Sequence, residues 1–167
     1  MSINNPISSL ENEKLFSRKC ISLKESISRS ASGIICEFKR RSPSNNNINN
    51  KSTISEVVKG YQKAGAAGLS ILTNKKYFDG DIQDIIEVRS ISEIPILRKE
   101  FIISEYQIIE AKSIGADAIL LIASILTSED ILNYSSLAKS LGLEVLVEVH
   151  TYEAVSYTHL RAHETRP

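Results

Sequence analysis

Residues 113–123 read "SIGADAILLIA". Gly115 follows a helical pattern, where glycine supplies the left-handed cap that other residues resist. After two intervening residues begins the longest purely apolar run of the chain, 118–123. A short run without alternation is a strand buried on both faces, as parallel strands are. The same arrangement recurs at residues 63–73, "KAGAAGLSILT", and at 140–150, "SLGLEVLVEVH". Each stretch is the return from helix to strand in an αβ unit.

Working outward, the helix starts agree. Thr53 with Glu56, and Ser104 with Gln107, have the spacing of a capping box. Ile54, Val57, Val58 and Tyr61 form a helical stripe behind Thr53. Another helix starts near Thr127 or Ser128, and "DIQDIIEVRS" from Asp81 supplies one more. Strands are expected over about 34–38, 69–72, 96–97 and just beyond, 118–122 and 145–149. Strands alternating with helices make a parallel sheet, so the fold class is α/β. A doubly wound five-stranded sheet fits this length. A (β/α)₈ TIM barrel needs roughly 250 residues and is truncated here after about the fifth strand. Strand count alone leaves both open.

Residues 1–31 are serine-rich with scattered apolar positions and read as an N-terminal helical extension. Residues 32–154 form the α/β body. Residues 155–167 abandon the pattern and read as a foreign, non-native tail.

The 20 basic and 20 acidic residues cancel. Nucleic-acid and membrane-surface binders need a basic excess, so neither partner is expected. Two cysteines and three late histidines show no metal spacing, so no metal is expected. No secretory signal and no span long enough for a bilayer are visible, which favours a cytoplasmic protein. The dinucleotide and nucleoside-triphosphate glycine loops are missing from the sequence. Nothing in the sequence sets an oligomeric state.

In parallel α/β folds chemistry gathers at the C-terminal ends of strands. There lie Glu37 and Lys39, two apart and so on one face, then Lys99, then Glu148. A strand-end charge is often only a solvated loop residue. Two carboxylates and two amines on one edge are harder to dismiss: in a low-dielectric mouth they pair and shift one another's pKa values. A lysine then donates a proton and a glutamate accepts one. Phe78 and Phe101 can wall an aromatic pocket or simply pack a core. Arg40 and Arg41 read as surface or phosphate-steering cations. Cys36 faces away from Glu37 and reads as packing. His150 can share a face with Glu148, though a polar loop role is the plainer choice.

With these residues in place, the chain resembles indole-3-glycerol-phosphate synthase. The resemblance rests on "CEFKRRSPS" (36–44), "GAAGLSILTNKKYFDGDIQDI" (65–85), "IPILRKEFIISEYQIIEAKSIGADAILLIASIL" (94–126) and "LGLEVLVEVH" (141–150). It implies a (β/α)₈ barrel and a small-molecule phosphosugar-anthranilate substrate. The ring closes to indole-3-glycerol phosphate with loss of CO₂ and water, and no cofactor takes part. It implies Lys99 as general acid, Glu148 as general base in dehydration, and Glu37 and Lys39 as groups that position substrate and assist proton transfer. It places Ser42, Phe78, Phe101 and Leu120 in the substrate pocket. Two positions depart from the family pattern: Glu100 where Asp is more usual, and Asn74 where an acidic residue is common.

Two other readings remain. A phosphoribosylanthranilate-isomerase type of barrel should use a Cys or an Asp pair at strand ends rather than two lysines. A non-catalytic half-barrel would only bind a partner.

Overall fold

The computed structural model describes residues 5–49 and 51–150. Two short helices come first, α1 (Ile7–Glu11) and α2 (Leu23–Arg29). The α/β body follows: β1 (Ile35–Phe38), α3 (Ile54–Lys63), β2 (Gly68–Leu72), α4 (Lys75–Phe78), α5 (Ile82–Ile91), β3 (Ile96–Lys99), α6 (Glu105–Ser113), β4 (Ala118–Ile122), α7 (Ser128–Ser140) and β5 (Glu144–Glu148). All neighbouring strands are parallel, and their order is β1-β2-β3-β4-β5. That order decides what strand count left open. A doubly wound sheet reverses its strand order at a switch point. Strictly sequential parallel order is that of a (β/α) barrel wall. The expected tail, 155–167, lies outside the described residues.

Local chemistry explains the element ends. Gly65, Gly115 and Gly142 all have positive φ just past α3, α6 and α7, the left-handed caps anticipated from the repeat. Capping boxes form at Thr53 with Glu56, Asp81 with Asp84, and Thr127 with Asp130. Ser104 differs: its side chain accepts no capping bond. Instead Gln107 Oε1 accepts the Ile103 backbone N–H (2.9 Å) and the Ser104 hydroxyl, so Gln107 ties down the chain before the helix.

Successive side chains of a strand point to opposite faces. One face meets the helices. There Phe38, Leu69, Ile71 and Ile96 pack against Ile54, Val58, Ile85 and Val88, while Ile119 and Leu121 pack against Ile108, Ala111, Ile131 and Ala138. Each fully buried Leu or Ile is worth about 1.5–3 kcal/mol. The other face is concave and smaller in apolar content: Leu97, Ala118, Leu120 and Ile122 lie there with Leu23 of α2. Helix α2 covers its lower end, where the Lys24 backbone N–H donates to Glu144 at 3.0 Å. The upper end, at the C-termini of the strands, is left for polar side chains.

Asp117, fully buried at the foot of β4, fastens the N-terminal extension to the sheet. It pairs with Arg18 and Arg89, both at 2.6 Å. It also accepts the backbone N–H groups of Ile21 and Ile96, both at 2.8 Å. Among the described residues no helix is long and apolar enough to cross a membrane.

Candidate active site

Period-2 alternation sends Glu37 to the concave face while Phe38 enters the helix-side core. On β3 it sends Lys99 the same way, and Arg98 outward to pair with Glu110 at 2.6 Å. The register runs Leu72 opposite Lys99 and Ile122 opposite Glu148. The strand-end charges therefore share one face and one end of the sheet.

Glu37 stands between two amines. Its Oε2 lies 2.9 Å from Lys99 Nζ and its Oε1 lies 2.9 Å from Lys39 Nζ. Burial pushes the Glu37 carboxyl up, but hydrogen bonds and charge from Lys99 and Lys39 outweigh it and hold it below the usual carboxylate range. The Tyr61 hydroxyl of α3 donates to the Glu37 backbone carbonyl at 3.0 Å and steadies the strand end.

Lys99 and Glu148 line one cleft of about 210 Å³ with Phe78, Phe101 and Leu120. Phe78 and Phe101 stack with centroids 6.3 Å apart and planes 28° apart. Tyr77 meets Phe101 edge-on at 5.9 Å. Glu148 is joined by His150, whose Nε2 lies 2.6 Å from Oε1, so His150 does share the face of Glu148. The cleft offers an amine, a carboxylate and a flat apolar slot side by side. That set can donate a proton, accept one, and hold an aromatic ring.

Of the eight residues expected at the site, five line this cleft, Glu37 adjoins it through Lys99, and Lys39 is joined to Glu37. Ser42 is not among the lining residues; it sits in a turn where its hydroxyl accepts the Asn45 backbone N–H at 3.1 Å. Arg40 is paired with a carboxylate, while Arg41 is held by backbone carbonyls alone. Arg40 donates twice to Asp84, with Nη2 to Oδ1 at 2.7 Å, and lies over the Phe38 ring. Arg41 donates to the backbone carbonyl of Lys76 at 2.9 Å. Both tie the loop after β1 to the segment around α4. Among the described residues, no group of three or more His, Cys, Asp or Glu is placed to hold a metal ion.

Three lining residues were not anticipated: Ile122, Asn74 and Glu100. Asn74 and Glu100 are the two departures from the family pattern, and they touch: Asn74 Nδ2 donates to Glu100 Oε1 at 2.8 Å. Reading them as separate changes hid that relationship. The usable signal was that both sit within two residues of a strand end: Glu100 follows Lys99 directly and Asn74 lies two past Leu72.

The family model for indole-3-glycerol phosphate synthase matches residues 1–163. Curated relatives carrying that name include a protein of Bacteroides thetaiotaomicron, 48% identical over 81% of this chain and 52% of its own length. Another, from Leptospira interrogans, is 45% identical over 78% of this chain and 52% of its own. The chain thus spans about half the length of the curated relatives it matches. Among solved structures, tryptophan synthase subunit alpha of Legionella pneumophila superposes with a TM-score of 0.52 over 81% of this chain and 62% of that one. At 14% identity it supports the fold alone.

Proposed function

The chain belongs to the indole-3-glycerol phosphate synthase family, and on that premise we propose that it carries the acid and the base of a ring-closing decarboxylation in tryptophan biosynthesis. The substrate is 1-(2-carboxyphenylamino)-1-deoxyribulose 5-phosphate, a small soluble molecule met in the cytoplasm. Lys99 donates a proton at the sugar carbonyl while the anthranilate ring attacks. Carbon dioxide then leaves, and in the dehydration Glu148 takes a proton while the Lys39 ammonium gives one to the departing hydroxyl, which leaves as water. Glu37 and Lys39 hold the substrate's polar groups and keep Lys99 in place. Phe78, Phe101 and Leu120 wall the aromatic ring.

One observation carries this proposal: Lys99 of β3 and Glu148 of β5 open into a single cleft beside a stacked aromatic pair. General acid–base catalysis of this kind contributes about 10²–10⁴-fold. In barrels of this type phosphate is commonly held by the loops after the seventh and eighth strands. Five strands alone do not provide them, so the 167-residue chain by itself is expected to be inactive. The test is indole fluorescence on adding this substrate to full-length protein and, separately, to the 167-residue chain. Absence of product with the full-length protein would reject the assignment.

A further inference from the structure

Beside the aromatic walls, lining the same cleft, lies a polar knot. Asn74 and Glu100 are both buried, at 8% and 7% exposure. Glu100 Oε1 accepts from Asn74 Nδ2 at 2.8 Å and from the Phe101 backbone N–H at 2.9 Å. Its Oε2 accepts from the Thr73 hydroxyl at 2.9 Å. Among the described residues no Lys, Arg or His forms an ion pair with Glu100. A buried carboxyl group held only by neutral donors depends on each of them. The other end of the Asn74 amide is also engaged: Oδ1 accepts the Tyr77 backbone N–H at 3.1 Å and caps α4. That short helix ends in Phe78. One side-chain amide therefore joins the strand end that carries Phe101 to the turn that carries Phe78.

We propose that Asn74 is a positioning residue that sets the gap between Phe78 and Phe101, and so the fit of a flat aromatic ring. Only the identity of that ring rests on the function proposed above. With Glu rather than Asp at position 100 of this chain, position 74 accepts at one end and donates at the other. Aspartate has the same shape and still caps the helix, yet it loses the donor and sets a second carboxylate against Glu100. Two carboxylates in contact share a proton, so one of them titrates late. The other charged groups around this knot are Lys99 and Glu148 on the cleft side, His150 on Glu148, and Arg98, whose Nε donates to the Thr73 hydroxyl at 3.2 Å.

The experiment places 4-fluorophenylalanine at position 78 or 101 of the full-length protein. Fluorine shifts are followed from about pH 5 to about pH 8, a window that spans a raised carboxyl pKa. Parent, N74D and N74D/E100Q are compared. The N74D protein should show a titration step that both others lack. Its KM at about pH 8 should rise roughly tenfold, as loss of a hydrogen bond to a charged group implies, with kcat changed less, and should fall again toward acid pH. N74D curves that match the parent's overturn the proposal, as does a step that persists in N74D/E100Q. If N74D fails to fold, E100Q alone serves: it should shift the fluorine lines of both rings, and unmoved lines overturn the role of Asn74. A parent without turnover rejects the proposed function, while the fluorine shifts still decide the role of Asn74.

Discussion

Lys99 Nζ and Lys39 Nζ each lie 2.9 Å from a different oxygen of Glu37. One carboxylate thus fixes two amines on the rim of the cleft. The amine of Lys99 would otherwise sample several rotamers. A fixed donor is what a general acid requires, because proton transfer needs hydrogen-bond reach.

The balance at Glu37 can be reversed. Burial raises its pKa, and the two lysines more than offset that. Carbon-13 NMR of the Glu37 carboxyl should give a midpoint below the ordinary glutamate value of about 4.3. The stability it contributes is present above the unfolded-state pKa and is lost as pH falls through its depressed folded value. In a K39M/K99M protein the burial remains with only a long hydrogen bond from the Ser70 hydroxyl at 3.4 Å to oppose it, so the midpoint should rise above the ordinary value. A midpoint unmoved by that double change would mean the lysines do not set it.

Glu148→Gln keeps the shape and hydrogen bonding of the side chain but removes the proposed base. Pre-steady-state kinetics of full-length protein should show slower dehydration with little change in substrate affinity. A normal turnover with only a raised KM would make Glu148 a binding residue.

Asp117→Ala should be the most damaging change away from the cleft. It strands the charges of Arg18 and Arg89 and frees two backbone N–H groups. Breaking a buried ion pair costs about 3–5 kcal/mol. Urea unfolding of full-length protein should show a loss of that order. Glu25→Ala, which breaks the exposed pair with Arg29, should leave the midpoint within error. Equal effects from the two would contradict the role given to burial.

How much of this was legible depended on range. The strand Ala118–Ile122 stood out because both its faces are buried, leaving an unbroken apolar run. The cap at Thr53 was legible because its bonds span three residues, while the same spacing at Ser104 gave no cap because Gln107 turns to the Ile103 backbone N–H. Helix α4 was missed: four residues cannot show a helical period, and its cap at Asn74 resembles any loop asparagine. Asp117 went unread because its partners Arg18 and Arg89 lie 99 and 28 positions away. Strand-end charge identified Lys99, Glu148 and Glu37, since charge in an apolar strand is costly without a partner. It could not reveal that Asn74 meets Glu100, nor that the strands run in sequential order.

Gly80 shows how tightly the turn beneath Phe78 is held. A Cβ there would lie within 2.2 Å of the Leu72 carbonyl oxygen, which is backbone and cannot swing aside. Gly80→Ala should destabilise full-length protein by about 1–3 kcal/mol, as overpacking does, and should weaken binding of aromatic ligands in the cleft. Thermal denaturation with ligand titration checks both, and an unchanged melting temperature would show that the turn yields.

The most direct test of the central claim is the turnover of Lys99→Ala in full-length protein, with folding verified by circular dichroism. Removing a general acid should cost about 10²–10⁴-fold, so kcat/KM for ring closure should fall at least a hundredfold. A folded variant whose kcat/KM stays within tenfold of the parent would contradict the assignment of Lys99 as the acid.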